Sequence, residues 1–336
     1  MIAARTLGKS GIAVSEIGFG GAPLGELFAV LDESAAVATV EASLDAGVTL
    51  LDTSPLYGHG LSEHRIGAAL RRRPHVRPVL CTKVGRVADP FLPRAGETDF
   101  VGGLPHRLRF DYSHDGALRS IEQSLLRLGT SRLDVVLIHD VDVWTHGAAA
   151  IDARFEEAVA GAYRALRSLR DEKTIGALGV GVNEADMCMR FAERCDIDCV
   201  LLAGRYSLLE QPAAETFLPL AQARNIGVML GGVFNSGILA TGAVAGAKYN
   251  YKPAPPEIRA KVEKIEAVCR RHGVKLADAA LRFALAHPVV ASVVLGAVTP
   301  AEIAAQQASL AATIPRALWA DLVAQGLLDA NLPVPT

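Results

Sequence analysis

Four apolar runs in this chain each end on a polar residue, and a helical pattern follows every one. VTLLD ends on Asp52, VLCTK on Lys83, DVVLIH on His139 and LGVGVN on Asn183. The runs are short and rich in Val, Leu and Ile, as strands buried on both faces are. In a closed parallel α/β barrel the C-terminal ends of the strands converge on one mouth, and chemistry sits there. One polar strand end has many bland explanations; four in series point to a site.

The opening ARTLGKSGIAVSEIG alternates around a Lys-Ser-Gly turn and predicts a β-hairpin that would plug the N-terminal end of a barrel. Strand and helix patterns then alternate almost to the end of the chain. Eight strands are expected at residues 17–20, 49–52, 79–83, 133–139, 177–182, 199–203, 227–230 and 291–295. Helices are expected over 34–46, from Ser62 as N-cap, over 115–128, and over 314–328 as an extra C-terminal helix outside the barrel. The expected fold is α/β, a (β/α)8 TIM barrel. No composition break marks a linker, so residues 1–336 are read as one domain. Three stretches, 85–113, 140–154 and 231–256, are too long for ordinary connections. They follow strands three, four and seven, so all would overhang the same mouth.

Composition narrows the function. Half of the residues are hydrophobic, enough for a large core, and the net charge of −2 gives no electrostatic reason to bind nucleic acid or an anionic membrane. Charges and turn residues interrupt every apolar run before the ~18 residues a membrane span needs. The segment MIAARTLGKSGIAVSEIG has neither a continuous apolar signal core nor a cleavage site. Cys81, Cys188, Cys195, Cys199 and Cys269 lack paired-ligand spacing and read as reduced, structural thiols. A cytoplasmic enzyme acting on a small polar molecule is expected. His59, His64, His106, His114 and His146 are scattered over loops and no HxH closes a strand, so no metal is expected. GFGGAPLG imitates GxGxxG only superficially, because its third glycine falls on Pro23 and no helix opens from the turn.

Asp52 and Tyr57 stand in LLDTSPLYGHG, where Thr-Ser-Pro ends the strand and turns the chain so that Tyr57 overhangs the mouth. Lys83 arrives from the next strand and His139 from the one after. A phenol titrates near ~10, too high for ready proton exchange at neutral pH. An ammonium about 4 Å away, at an effective dielectric near 20, contributes ~4 kcal/mol, roughly three pK units downward, with desolvation opposing part of it. Asp52 would keep Lys83 charged and aimed, and His139 would hydrogen-bond the substrate oxygen. Taken singly, Tyr57 reads as a loop tyrosine and Asp52–Lys83 as a structural ion pair. Together they make an acid/base set for interconverting an alcohol and a carbonyl.

LLDTSPLYGHGLSEHRIGAAL, VLCTKVG and SLLRLGTSRLDVVLIHD resemble the aldo-keto reductase superfamily. The likeness runs from LGKSGIAVSEIGFGGAPLG to VVLGAVTPAEI, nearly the whole chain. It implies a (β/α)8 barrel binding a nicotinamide cofactor without a Rossmann domain, with the catalytic tetrad on Asp52, Tyr57, Lys83 and His139. FDYSHDGALRSIEQSLLRLG, HDVDVWTHG and LLAGRYSLLEQ are similar to the branch holding L-fucose and D-threo-aldose 1-dehydrogenases, beside pyridoxal 4-dehydrogenases.

The resemblance also implies the cofactor contacts, with departures. Gly181-Val182-Asn183 replaces the common Ser-Asn, leaving Asn183 to hold the nicotinamide carboxamide. The usual glutamine after strand six is absent from Ala203-Gly204-Arg205-Tyr206, and the stacking aromatic aligns with Gly231, so Phe234 or Tyr206 would fill that space. Gly232, Phe234, Asn235, Ser236 and Gly237 would cradle the pyrophosphate with backbone N–H groups. Gly21, Asp52 and Gly296 would face the cofactor, and Glu302 or Gln306 the adenosine. The family places the cationic clamp for a 2′-phosphate just after strand eight, yet no Lys or Arg occurs from 289 to 314. NAD is therefore expected, with NADP as the alternative. Trp144, His146 and the 110–112 loop join Tyr57 and His139 as expected substrate contacts. The resulting reading is oxidation of an aldose at C1 to a lactone. Alternatives are pyridoxal oxidation to 4-pyridoxolactone, general aldehyde or ketone reduction, and a non-enzymatic cofactor-sensing subunit. Oligomeric state is left open.

Overall fold

The structure, a computed structural model, describes residues 2–335 except 95, 97 and 99. Eight parallel strands close into a barrel: β1 (Ile17–Gly20), β2 (Leu50–Asp52), β3 (Val79–Val84), β4 (Val135–His139), β5 (Ala177–Val182), β6 (Cys199–Ala203), β7 (Gly227–Gly231) and β8 (Val290–Gly296). Each strand pairs with its sequence neighbours, and β8 returns to β1 to close the ring. The expected strands all form, with ends displaced by no more than two residues. Among the described residues no helix is long and apolar enough to cross a membrane.

Alternation along the strands divides the core into two layers. Leu50, Cys81, Val135, Leu137, Ala177, Cys199, Leu201, Met229, Ala291 and Val294 fill the barrel interior. Leu51, Val136, Ile138, Leu178, Val180, Val200 and Leu202 face outward onto the helices. The same period of two carries Asp52 inward beyond Leu50, Lys83 beyond Cys81 and His139 beyond Leu137. Asp52 pairs in register with Cys81, Lys83 with Leu137 and His139 with Gly181. The three polar residues therefore climb the inner wall two positions per strand, as diagonal neighbours.

The N-terminal hairpin forms from Ala4–Thr6 and Ala13–Ser15 around the 3-10 turn Gly8–Ser10. Leu7 and Val14 are wholly buried in the interior cluster, and the Lys9 N–H donates to the Asn225 carbonyl just before β7. The hairpin thus closes the bottom of the barrel, opposite the mouth.

Helix boundaries depart from the sequence pattern more than strand boundaries do. The first helix is Glu33–Asp45, capped by Asp32, which accepts from the Ala35 N–H at 2.9 Å. Ser62 is not an N-cap. The 3-10 turn Tyr57–Gly60 runs straight into the helix Leu61–Arg72, so Gly60 caps it and the Ser62 hydroxyl turns aside, 2.9 Å from that of Thr53. The third, His114–Leu128, is capped by Ser113. The C-terminal helix is shorter than expected, Arg316–Ala324, and buries Leu318, Trp319 and Leu322.

Each of the three long stretches carries structure of its own. The first contains the antiparallel pair Arg86–Asp89 and Arg107–Phe110. The second contains the short helix Val143–His146 and the start of the helix Ile151–Ala160. The third contains the helix Ile238–Thr241 and a two-residue ladder, Lys248–Tyr249 with Lys252–Pro253. Lys248 lies 4.5 Å from the ring centre of Phe28, joining the loops that follow β7 and β1.

Candidate active site

The Lys83 ammonium is wholly buried and donates to both oxygens of Asp52 at 2.8 Å and to the Thr53 carbonyl at 2.8 Å. It also lies 4.7 Å from the centre of the Tyr57 ring. The Tyr57 and His139 rings meet edge-on, centroids 6.0 Å apart. Four residues from three strand ends and one loop thus meet at the mouth of the barrel.

Tyr57 is held by contacts that its own loop does not supply. The backbones of Gly25, Tyr57 and Gly58 touch so closely that a methyl group on Gly25 would overlap Tyr57 and Gly58. Gly58 and His59 both have left-handed backbone, φ 60° and 56°. The Leu104 N–H donates to the Gly58 carbonyl at 2.9 Å, and the buried His59 ring reaches the His106 carbonyl at 2.6 Å and the Thr98 hydroxyl at 3.0 Å. The Tyr57 turn is clamped between the loop after β1 and the long loop after β3.

Electrostatics decide the resting protonation states. Burial raises the Tyr57 pKa above its ordinary value; Lys83 pulls it down, while Asp52 and Asp140 push it up again. The expected net lowering by Lys83 is therefore corrected, because burial exceeds it and Asp52 cancels much of the ammonium's field. Burial also works against the Lys83 charge, yet the Asp52 carboxylate outweighs it and raises the Lys83 pKa. His139 is held well below its usual pKa, first by burial and then by the Lys83 and Arg86 cations, so it stays neutral.

The tautomer of His139 follows from its neighbours. Arg86 Nη1 lies 3.3 Å from His139 Nδ1, and a guanidinium has no acceptor to offer. Nδ1 must accept there, with the Ser54 hydroxyl at 3.1 Å beside it, so the ring proton sits on Nε2. Arg86 also pairs with Asp140 at 2.9 Å and lies 4.5 Å from the centre of the Phe110 ring.

The remaining expected residues divide. The Asn183 amide donates to Asp142 at 2.9 Å, its own N–H does the same, and Arg205 Nε donates to its carbonyl at 2.7 Å; this fixes Asn183 at the mouth. His146 lies there too, 4.6 Å from Phe110 between ring centres, and Trp144 is half exposed. Tyr112 is corrected from substrate contact to support: it is wholly buried and its hydroxyl donates to the His139 carbonyl at 2.8 Å. Tyr206 is likewise excluded from the mouth, because it is buried and stacked on Phe283 at 5.2 Å in the layer between barrel and helices. Gly21 packs inward: a methyl there would strike Ser62, the Asp52 carbonyl and Ile66. Gly296 abuts Pro23.

Past β7 the backbone turns left-handed at Gly232, Asn235, Ser236 and Gly237. The Asn235 side chain is occupied by Ser207 and Glu210, and the Ser236 hydroxyl accepts from the Tyr251 N–H at 3.0 Å, so this loop can offer a ligand mainly backbone. Phe234 is partly buried against the core. Glu302 accepts from the Val298 N–H at 2.9 Å and Gln306 donates to the Gly296 carbonyl at 2.9 Å. Arg86, Asp140, Asp142, Arg205 and Ser54 escaped notice in the sequence; HDVD after strand four was the available signal for the two aspartates. Among the described residues no cluster of three or more His, Cys, Asp or Glu is arranged to hold a metal ion.

The sequence fits the profile of the Aldo/keto reductase family over residues 16–324. The chain belongs to that family. It is 39% identical over 335 residues to a pyridoxal 4-dehydrogenase of Microbacterium luteolum, spanning 97% of this chain and 98% of that one. It is 37% identical over 325 residues to a D-threo-aldose 1-dehydrogenase of a Pseudomonas species, spanning 95% and 96%. Among solved structures, an aldo-keto reductase from Bacillus halodurans in its holo form superposes with a TM-score of 0.74 at 26% identity, over 99% and 98% of the chains. The protein is thus an oxidoreductase acting on a CH–OH or carbonyl group of a small polar molecule, within a family that uses NAD(P)H.

Proposed function

We propose that this chain oxidises an aldose at C1 to its lactone, with NAD as hydride acceptor, working from the cytoplasm. The observation that carries the reading is the buried Lys83–Asp52 pair beneath the Tyr57 ring, edge-on to a neutral His139. His139 Nε2–H would donate to the reacting oxygen and orient it. The Tyr57 hydroxyl would exchange the proton of that oxygen, with Lys83 stabilising the phenolate and Asp52 holding Lys83 in place.

Space at the ends of β6 and β7 supports binding of a nicotinamide dinucleotide. Nothing lies closer than 3.8 Å to where a Gly231 side chain would start, and Gly204 faces open space, so the ends of β6 and β7 leave room for a flat ring. Asn183 would take the carboxamide, Gly232 to Gly237 the pyrophosphate through backbone N–H groups, and the segment from Gly296 to Gln306 the adenosine. The oxidised nicotinamide supplies a hydride acceptor. With adenosine beside Glu302, that carboxylate would stand where a 2′-phosphate needs a cation, which supports NAD over NADP.

The same machinery would serve the cyclic hemiacetal of pyridoxal, and the relative named for that substrate keeps it as the second reading. The test is the absorbance of reduced nicotinamide on mixing protein and NAD with aldoses and pyridoxal. Turnover of none of them, and of no aldehyde in reverse, would end the reading. Tyr57→Phe should abolish turnover while sparing cofactor binding.

A further inference from the structure

Asp140 follows His139 directly and has left-handed backbone, φ 54°, while its N–H still donates to the Gly181 carbonyl at 2.8 Å. This conformation is uncommon outside glycine, and it swings the carboxylate back toward the mouth instead of out with the next residue of the strand. Asp140 is buried, and its two oxygens are treated unequally. Oδ2 receives Arg86 Nη2 at 2.9 Å. Among the described residues Oδ1 has only long contacts, 3.4 Å to His139 Nε2 and 3.4 Å to Asn183 Nδ2. Charge-assisted hydrogen bonds to a carboxylate are normally much shorter. Arg86 also contacts His139 Nδ1 at 3.3 Å and the Phe110 ring, so turning the carboxylate to improve Oδ1 would give up the Oδ2 pairing with an arginine held from two other sides.

We propose that Asp140 is the specificity residue of this site and accepts a hydrogen bond from a second substrate hydroxyl, carried on the carbon next to the reacting one. The inference rests on the reading of the site as a dehydrogenase for hydroxyl compounds. His139 Nε2 has one proton. When it serves the reacting oxygen, Asp140 Oδ1 loses that contact and becomes a buried acceptor short of a donor. A neighbouring hydroxyl replaces it. The 3.4 Å between Nε2 and Oδ1 suits two oxygens on adjacent carbons, one accepting from His139 and one donating to Asp140. In an aldose this second group is the C2 hydroxyl. In pyridoxal the hydroxyl sits one carbon further away, so the arrangement favours the sugar.

Burial raises the Asp140 pKa and Asp142 adds to it, while Arg86 acts against the rise, in keeping with a carboxylate that lacks a full set of donors. A substrate hydroxyl would supply one.

The experiment compares kcat/KM for an aldose and for its 2-deoxy counterpart, with NAD, in the wild type and in Asp140→Asn. Thermal melting and nicotinamide binding check that the variant is folded. The wild type should prefer the C2-hydroxylated sugar by about 10- to 100-fold, the value of one hydrogen bond to a charged group, and Asp140→Asn should reduce that ratio to within about 3-fold. Should Asp140→Asn fail to fold, Arg86→Lys replaces it; freeing the carboxylate should lower the ratio at least about 5-fold. A wild type without the preference, or a variant that keeps it, would overturn the role of Asp140 alone. A wild type that oxidises neither sugar nor any other hydroxyl compound would overturn the dehydrogenase reading, and this inference with it.

Discussion

Lys83 and Asp52 form a closed pair: Nζ lies 2.8 Å from each carboxylate oxygen, with both side chains buried on the inner wall of the barrel. Its two charges act in opposite senses on Tyr57, whose pKa Lys83 lowers and Asp52 raises, while Lys83 also holds down the pKa of His139.

Removing one member should be worse than removing both. Lys83→Met leaves a buried, uncompensated carboxylate and should cost about 3–5 kcal/mol in urea denaturation. Asp52→Leu with Lys83→Met should recover part of that loss. Additive losses would show that the two side chains do not depend on one another.

The two directions of reaction should respond differently to pH. On the proposed reading oxidation would need the Tyr57 phenolate, and with the phenol pKa raised by burial that form grows throughout the neutral and mildly alkaline range. Oxidation should therefore rise steadily from about pH 6 to about pH 10, while carbonyl reduction, which uses the phenol, stays level. His139 is depressed well below its ordinary value and adds no acid limb near about 6.5. A pH-independent oxidation rate would contradict the assignment of Tyr57.

Cofactor choice should follow the Glu302 carboxylate in the helix after β8. kcat/KM with NAD should exceed that with NADP by about 10-fold or more, and Glu302→Arg should narrow the gap by supplying a phosphate partner. A clear NADP advantage in the wild type would show that a cation reaches this position from elsewhere.

Gly25 should matter for catalysis without touching the chemistry. A methyl group there would displace the Tyr57 backbone, so Gly25→Ala should lower kcat at least about 10-fold, since small misplacements of reacting groups are costly. Overpacking should also remove about 1–3 kcal/mol of stability. Unchanged kcat with intact folding would mean that the clamp on Tyr57 is slack.

Sequence reading located the barrel and the four polar residues because both rest on local regularities. Strand alternation and turn chemistry are written in neighbouring residues, and Asp52, Lys83 and His139 are simply the last inward positions of their strands. Tyr206 could not be placed the same way: whether an aromatic after β6 faces the mouth or Phe283 depends on how the chain leaves the strand. Ser62 went astray because a 3-10 turn preceding a helix moves the cap without altering the helix pattern.

By itself the chain order determined where the strands run to within two residues and which of their faces turn inward, since a period of two needs only near neighbours. Tertiary structure decided what those residues are electrically. The phenol of Tyr57 is raised and the imidazole of His139 depressed by burial and by charges from other strands, and Arg86 reaches His139 from 53 positions away. Desolvation and Coulomb forces depend on distance in space, which only the closed barrel sets.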